Sequence, residues 1–498
     1  MNTNYKFVIN RVKESYTKQE AVEPTNKYIL LYRAIKHCII TIELPNNWLL
    51  PSTRVLALEL KLSRTTVNKA YELLQLEKLI SSKAGSGNRV CFEVLQNEEK
   101  KSKKSVKTNQ RLYPNISEKG LFYSKNISLL NRMPNSHLAF RPGLPPIDVF
   151  PVNQWKKLLN TYWRHIKSSN LSYINATGLL ELKKSIRNYL NISRNIKCDH
   201  EQIVIVSGSL QSLYLIATSL IDKGDSVILE NPLFPNVHSV FKSSQANLVP
   251  ISLDAEGIDI NRIRELKQNS KVIHVTPSNH YPSGVKMSLK RRQDLLKWAS
   301  KKKTLIIEND YENEIANHLD SIPTIFSLDT EDRTIYTGTF NRLLHPSIRL
   351  GYMIVPKYLI ETVQALQEHS HRFVSPSIQV VMTQFIEKNY LYHHIKNSIE
   401  VAKKRHLLFI DAFNRISSKM YITEGLCSSF HIIALFKEPT GIVEEAQIIA
   451  SLAQKKITAY ALSKCYIGTP EQTGIILGYS AVRPSIIKQK IKNMQGIV

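Results

Sequence analysis

Cysteine is scarce in this 498-residue chain: Cys38, Cys91, Cys198, Cys427 and Cys465 are odd in number and scattered, with no two at metal-ligand or redox spacing. That excludes a disulfide framework and a cysteine-built metal centre, and it fits a reducing compartment. Long apolar runs are missing as well. No stretch approaches the roughly 18 uncharged residues that a membrane span needs, and the opening MNTNYKFVINRVKESYTKQE lacks an apolar core of signal-peptide length. The expectation is a cytoplasmic protein with no membrane partner. Acidic side chains are in deficit, 41 Asp and Glu against 67 Lys and Arg, for a net charge of +26. With 43% apolar and 22% charged residues, composition is otherwise ordinary for a folded protein, and disorder as the main state is excluded. The length suits two to three domains with sizeable cores.

The positive charge is concentrated at the front. Residues 1–111 hold 20 Lys and Arg against 10 Asp and Glu, so per residue the front is about twice as basic as the remainder, which holds 47 against 31. An anionic partner for the front follows, nucleic acid being the commonest through counterion release, with a solvated basic surface as the plainer alternative. At residues 93–134 Lys, Asn and Ser dominate and apolar periodicity fades, which reads as a linker. The expected division is an N-terminal extension over 1–26, a compact segment over 27–92, this linker, and a long segment over 135–498.

Within the compact segment, Leu30, Leu31, Ala34, Ile35 and Cys38 recur at helical spacing before Pro45. Pro51-Ser52-Thr53 opens a short helix over Arg54–Leu60, and Leu62-Ser63 turns the chain into a longer helix over Arg64–Leu76. In that helix Val67, Ala70, Tyr71 and Leu74 form an inward stripe, Ser63 is a good N-cap, and Arg64, Thr65, Asn68 and Lys69 lie on or beside the opposite face. Cationic and hydrogen-bonding side chains at the start of an amphipathic helix are what a recognition helix offers to bases and phosphates. Ile80–Lys83 and Asn88–Cys91 read as two strands around the tip Ala84-Gly85-Ser86-Gly87. Three helices and a hairpin also suit a small protein-binding domain.

The segment LPSTRVLALELKLSRTTVNKAYELLQLEKLISSKAGSGNRV resembles the winged helix-turn-helix of GntR-type transcription regulators. The resemblance rests on Leu50-Pro51-Ser52, Arg54, Leu62 to Val67, Ala70-Tyr71, Leu74 and Gly85-Ser86-Gly87. It implies DNA contacts from Arg54, Arg64, Thr65 and Thr66, with Gly85 at the minor groove, and Ser63, Asn68 and Lys69 join them as candidates from their place at the start of the helix. Asn68 stands where many relatives carry Arg, and Lys78 where Gly is common, so base preference does not carry over.

The long segment reads as strand, glycine turn and helix from Gln202, with further apolar runs at Ser226–Leu229, Val272–Thr276, Thr304–Ile307, Thr334–Thr337 and Gly351–Val355. Alternating with helical stretches, these predict a mainly parallel sheet covered on both faces, with ligands beyond the strand C-termini. The Ser207-Gly208-Ser209 turn offers free N–H groups at a helix start, a ready anion site.

These stations resemble fold-type I pyridoxal-phosphate enzymes, in the order of the aminotransferase-like domain of MocR regulators. The matching stretches include Phe140 to Pro145, Gly178-Leu179, Thr276-Pro277-Ser278, Pro282-Ser283-Gly284, Gly338-Thr339-Phe340 and Arg349 to Tyr352. The implied fold class is therefore multidomain: a small α+β winged helix-turn-helix followed by an α/β fold-type I aminotransferase-like effector and dimerisation domain. The implied pocket comprises Tyr173, Gly208, Ser209, Leu210, Phe234, Asn309, Tyr311, Asn341, Arg342 and Arg349. Where the family writes Gly-Thr-Phe-Ser-Lys, this chain writes Gly338-Thr339-Phe340-Asn341-Arg342, and no lysine lies between Lys303 and Lys357. A guanidinium stays protonated near neutrality and is no imine-forming amine. Asn309 replaces the carboxylate that faces the pyridine nitrogen. Asp310 could substitute only through a one-residue register shift that would turn it to the other strand face. The Tyr that stacks on the ring in the family aligns with Phe234, and Arg349 matches the phosphate-binding arginine.

No catalytic residue is expected, and covalent pyridoxal phosphate is not. A non-covalent pyridoxal phosphate or another anionic effector at Gly208, Ser209, Arg342 and Arg349 stands beside the alternative that these residues persist structurally. His369, His371, His393 and His394 read as surface histidines, so no metal is expected. The whole reads as a cytoplasmic DNA-binding regulator acting on a double-stranded operator as a head-to-tail homodimer, without transamination. Its rivals are an active aminotransferase carrying a DNA-binding head and a binding scaffold without DNA affinity.

Overall fold

The computed structural model of the chain describes residues 3–22, 26–41, 43–83, 87–91, 114–129, 139–312, 314, 322–423 and 430–498. The chain divides into two compact units, Met1–Asn115 and Ile116–Val498.

In the first unit, α1 (Thr3–Val22), α2 (Lys27–Ile40), α3 (Thr53–Glu59) and α4 (Arg64–Leu76) precede a hairpin of β1 (Ile80–Lys83) and β2 (Gly87–Val90). Helix α2 buries Leu30, Leu31, Ala34, Ile35, Cys38 and Ile39, too wide an apolar belt for one neighbour to cover. Helix α4 takes one side of it. The residues read from sequence as an extension take the other: α1 places Val8, Ile9, Val12 and Tyr16 in the same core, the Ser15 hydroxyl donates to the Ala34 carbonyl at 3.3 Å, and Phe7 meets Trp48 edge-on at 5.6 Å. The hairpin is antiparallel, with Ile80 opposite Val90 and Lys83 opposite Gly87. Gly85 lies outside the described residues. Lys78, which leads from α4 into β1, has φ +58°, the left-handed region that a glycine enters without strain.

The second unit is built on an eight-stranded sheet of order β3-β10-β9-β8-β7-β4-β5-β6. The strands are β3 (Ile203–Val206), β4 (Ser226–Asn231), β5 (Asn247–Asp254), β6 (Gly257–Ile258), β7 (Val272–Val275), β8 (Leu305–Asn309), β9 (Thr334–Thr339) and β10 (Gly351–Ile354). All run the same way except β6 and β10, so the sheet is mainly parallel. In β3, Ile203 and Ile205 pack with Leu182, Ile186 and Leu190, while Val204 and Val206 pack with Leu213, Ile216 and Phe241. This strand therefore feeds two cores, and its sequence is a continuous apolar run.

A second, antiparallel sheet has the order β11-β12-β14-β13, from Met420–Ile422, His431–Phe436, Gly474–Gly478 and Tyr460–Ala461. The long helix Tyr390–Ile416 lays Phe409 and Phe413 against it, and Phe140 joins this core. The Gly478 N–H donates to the Phe140 carbonyl at 2.7 Å, and a Cβ at Gly478 would lie 2.2 Å from the Arg141 carbonyl oxygen.

Two further expectations differ from the structure in this unit. Within the stretch read as linker, Glu118–Asn126 is a helix capped by Ser117 and docked on the second unit. Asn126 accepts from Ser239 at 3.3 Å, and Glu118 pairs with Lys223 at 2.9 Å. Few of its contacts are apolar, which is why periodicity did not reveal it. His394 is not a surface residue: its ring is buried and bonded to the Leu343 carbonyl at 2.9 Å, whereas His369, His371 and His393 are exposed.

Candidate functional site

At the front, the Ser63 hydroxyl accepts from the Thr66 N–H at 3.1 Å and lies 2.8 Å from the Thr66 hydroxyl, fixing where α4 begins. The Ser52 hydroxyl caps α3 in the same way, and the buried Tyr71 hydroxyl donates to the Pro51 carbonyl at 2.8 Å, tying the two helices together. With Val67, Ala70, Tyr71 and Leu74 inside, the opposite face is left to Ser63, Arg64, Thr65, Asn68 and Lys69, all exposed. Thr66 is half-buried, and Arg54 on α3 is exposed nearby in sequence. Among the described residues neither Arg54 nor Arg64 has a hydrogen-bond or ion-pair partner, whereas the Lys69 ammonium stands 5.5 Å from the Tyr28 ring. Gln75 donates to Asn88 at 2.9 Å and so fixes the hairpin to α4. Tyr28, Gln75 and Asn88 were not singled out from sequence, since each acts through a partner distant in the chain. Unpaired cations, hydroxyls and an amide beside free helix N–H groups can bind phosphate oxygens and base edges.

The second constellation lies at the strand C-termini of the large sheet. Gly208 has φ +121° and starts the helix Ser209–Leu220. The space above it is taken: a Cβ at Gly208 would meet the Asn341 amide nitrogen at 2.4 Å. The other end of the Asn341 amide accepts from the Leu350 N–H at 2.9 Å. Arg349 is exposed, is held at φ +51°, and reaches the Ser207 hydroxyl at 3.5 Å. With Leu210, Gln211, Tyr214, Ser239 and His371 it lines a cavity of about 350 Å³, closed on one side by Tyr123 of the docked helix.

Asn309 ends β8 and accepts from the Thr337 hydroxyl at 3.3 Å. Its neighbour Asp310 turns away, to Arg194 at 2.9 and 3.1 Å and to the Tyr336 hydroxyl at 2.6 Å, so its carboxylate is committed elsewhere. Arg342 points inward. Its guanidinium carbon lies 5.6 Å from the Phe234 ring and 5.7 Å from the Tyr311 ring, and Nη1 is 3.3 Å from Glu312. Glu312 is 1% exposed and accepts from the Phe430 N–H at 3.4 Å. Burial pushes its carboxyl above the ordinary range, and the Arg342 charge and the Phe430 N–H oppose that shift. Among the described residues the buried Tyr311 and Tyr281 hydroxyls have no hydrogen-bond partner.

The structure thus brings together Gly208, Ser209, Leu210, Phe234, Asn309, Tyr311, Asn341, Arg342 and Arg349 around the sheet ends. It does not bring Tyr173, whose ring is 76% exposed and meets Arg372 at 4.8 Å and Phe373 at 6.3 Å. Ser209 and Leu210 are half-buried in the first turn of their helix. Glu312, Gly143 and Arg194 were missed. Glu312 follows Tyr311 directly, and its signal was an acidic residue beside a motif that had lost one. Gly143 lies in the Phe140 to Pro145 stretch that matches the family, though nothing there shows that it faces Arg342, and Arg194 gives no local sign.

Comparison with known proteins follows the same division. Residues 27–90 match the family described as bacterial regulatory proteins, gntR family, and residues 146–470 match aminotransferase class I and II. The probable rhizopine catabolism regulatory protein MocR of Rhizobium meliloti is 28% identical over 465 residues, covering 93% of this chain and 92% of its own. The pyridoxine biosynthesis transcriptional regulator PdxR of Corynebacterium glutamicum is 24% identical, covering 92% and 93%. Among solved structures, the kynurenine aminotransferase of Pyrococcus horikoshii in complex with PMP superposes with a TM-score of 0.66 at 22% identity, over 81% of this chain and 98% of its own. That likeness concerns the fold.

Proposed function

The chain belongs to the aminotransferase class I and II family and, with its gntR-type head, is a MocR-like transcription regulator; from that premise we propose that its second unit works without transamination, as a dimerisation and effector-sensing module. The observation that carries DNA recognition is the face at the start of α4, where Arg64, Thr65, Asn68 and Lys69 stand exposed behind a capped helix N-terminus, with Arg54 on the preceding helix. In this reading α4 enters the major groove, Arg54 and Ser63 hold phosphates, Thr66 braces the cap, and the hairpin tip at Gly85 reaches the minor groove. The protein acts in the cytoplasm.

Loss of amine chemistry rests on Arg342 and Asn309. Pyridoxal phosphate, the cofactor of the fold family, would need an amine where Arg342 stands and a carboxylate where Asn309 stands. The residues present do not fit it, because Asn341 fills the space over Gly208 and Arg342 covers the face of Phe234. What remains for an anionic effector is the cavity at Arg349, whose wall includes Tyr123. An effector there would act by binding two states of the dimer unequally. Pairing of two copies is supported by the exposed apolar face of Trp163, Leu171 and Tyr173, which lines a cavity of about 610 Å³ with Tyr162 and Phe373.

The test is a titration of the full chain with duplex DNA at two salt concentrations. Affinity falls steeply with salt, and Arg64→Ala weakens binding by about 10- to 100-fold, or about 1–3 kcal/mol. Salt-independent binding, or an Arg64→Ala variant that binds as before, would sink the reading. Amino transfer by the unmodified chain would restore the rival enzyme.

A further inference from the structure

We infer that the chain fills its own cofactor site: Asn341 and Arg342 occupy the two halves of the space from within, and the Arg342–Glu312 ion pair takes over the structural part that a bound cofactor would play. The inference deepens the proposal that this site forms no imine. Three observations carry it independently of the altered motif.

The first is occupancy. Asn341 is fixed over Gly208 by its bond to the Leu350 N–H, so the turn that could cradle an anion faces an amide of the same chain. The Arg342 guanidinium lies between Phe234 and Tyr311, where its flat, weakly hydrated cation is stabilised by both ring faces. The second is the seat. A Cβ at Gly143 would lie 1.7 Å from Nη1 of Arg342 and 2.5 Å from its guanidinium carbon. At φ +75° Gly143 both makes the turn and leaves room for the cation. The third is connectivity. Arg342 follows β9, Glu312 follows β8, and the Phe430 N–H that binds Glu312 directly precedes β12 of the second sheet. One buried carboxylate thus ties two loops of the large sheet to the four-stranded sheet. Beside it the His431 ring lies 3.1 Å from the Pro282 carbonyl and 4.9 Å from the Tyr281 ring. Removing Arg342 strands the buried Glu312 carboxylate without its cation, so the pair holds this junction closed.

The experiment uses the full chain, with pyridoxal 5′-phosphate and methylguanidinium as probes and the melting temperature of the second unit as readout. The unmodified chain is expected not to respond to either probe. Arg342→Ala melts several degrees lower, regains part of the loss with millimolar methylguanidinium but not with tetramethylammonium, and in combination with N341S becomes responsive to pyridoxal 5′-phosphate. If Arg342→Ala fails to fold, Arg342→Met, Glu312→Gln and their double variant serve. The double variant, with both charges gone, is expected to be more stable than the Arg342→Met single variant. Stabilisation of the unmodified chain by pyridoxal 5′-phosphate would overturn the inference. So would an Arg342→Ala protein that melts as before, or single-variant losses that simply add. None of these outcomes bears on DNA binding or on the absence of amino transfer, which are measured separately.

Discussion

On α3 and at the start of α4, Arg54 and Arg64 stand in water with no partner among the described residues, whereas behind the sheet ends Arg194 and Arg292 are buried and Arg342 half-buried, each bound to the chain itself. Arg292 donates to the carbonyls of Met287, Pro323 and Pro277, and Arg194 holds Asp310 and Ser278. The same side chain is a reagent where its N–H groups are free and a girder where they are committed. The difference between the regions lies in the availability of those donors more than in the sign or amount of charge.

The sharpest test of that contrast is a pair of truncations. Arg194→Met takes the guanidinium away from the buried Asp310 carboxylate and is expected to cost about 3–5 kcal/mol in denaturant unfolding of the second unit. Arg64→Ala is expected to change stability by less than about 0.5 kcal/mol. Comparable losses would erase the distinction.

A second test uses pH. Burial pushes the Glu230 carboxyl up to about 7, although the Thr276 N–H and hydroxyl partly oppose that rise. The unfolded chain releases this proton nearer 4.5, so between about 4.5 and 7 each rise in pH lowers stability. His274 and His431, pulled down to about 4, and His280, pulled down to about 3, act in the opposite sense over about 4 to 6.5. Comparing Glu230→Gln with the parent isolates the carboxyl. The variant should gain on the parent from pH 5 to about pH 7 and level off above it, and a constant difference in melting temperature across that range would contradict the assignment. His280 does not neutralise Glu230 across their 3.8 Å separation, since its Nε2 lies 2.9 Å from the Pro232 carbonyl and burial keeps the ring uncharged.

Smaller effects belong to the first unit. Ser63→Ala removes the cap of α4 and is expected to cost about 1 kcal/mol, with a matching loss of DNA affinity because the N-terminal turn frays. Lys78→Gly should stabilise. A side chain at left-handed φ is strained by roughly 1–2 kcal/mol, and glycine returns about 0.5–1 kcal/mol of that through its freer unfolded chain. A net gain of about 0.5–1 kcal/mol in thermal unfolding is the expected result.

How far the sequence could be read follows the same contrast. The helix Arg64–Leu76 was legible because its apolar stripe, its cap and its exposed cations are all local. Most parallel strands were legible as continuous apolar runs, but β5, interrupted by Pro250 and Ser252, and β11 to β13 were not. Among the pocket residues, Gly208, Asn309, Arg342 and Arg349 fell where strand ends placed them. What pairs with these residues was harder to read: Gly143 and Glu312 lay within or beside recognised motifs with no sign that they meet Arg342, and Arg194 reaches Asp310 from a distant helix. Tyr173 was carried in by motif alone and lies elsewhere. Helix α1 has a weak apolar stripe, and only its packing on α2 gives it meaning.

That packing has a practical corollary for anyone wishing to study the head in isolation. An excised fragment begun at Lys27, where the family match starts, would strip Val8, Ile9 and Val12 from α2 and leave a greasy shelf along a domain of about 60 residues, a size already near the lower limit of autonomous folding. The excision that keeps its own lid begins at Thr3.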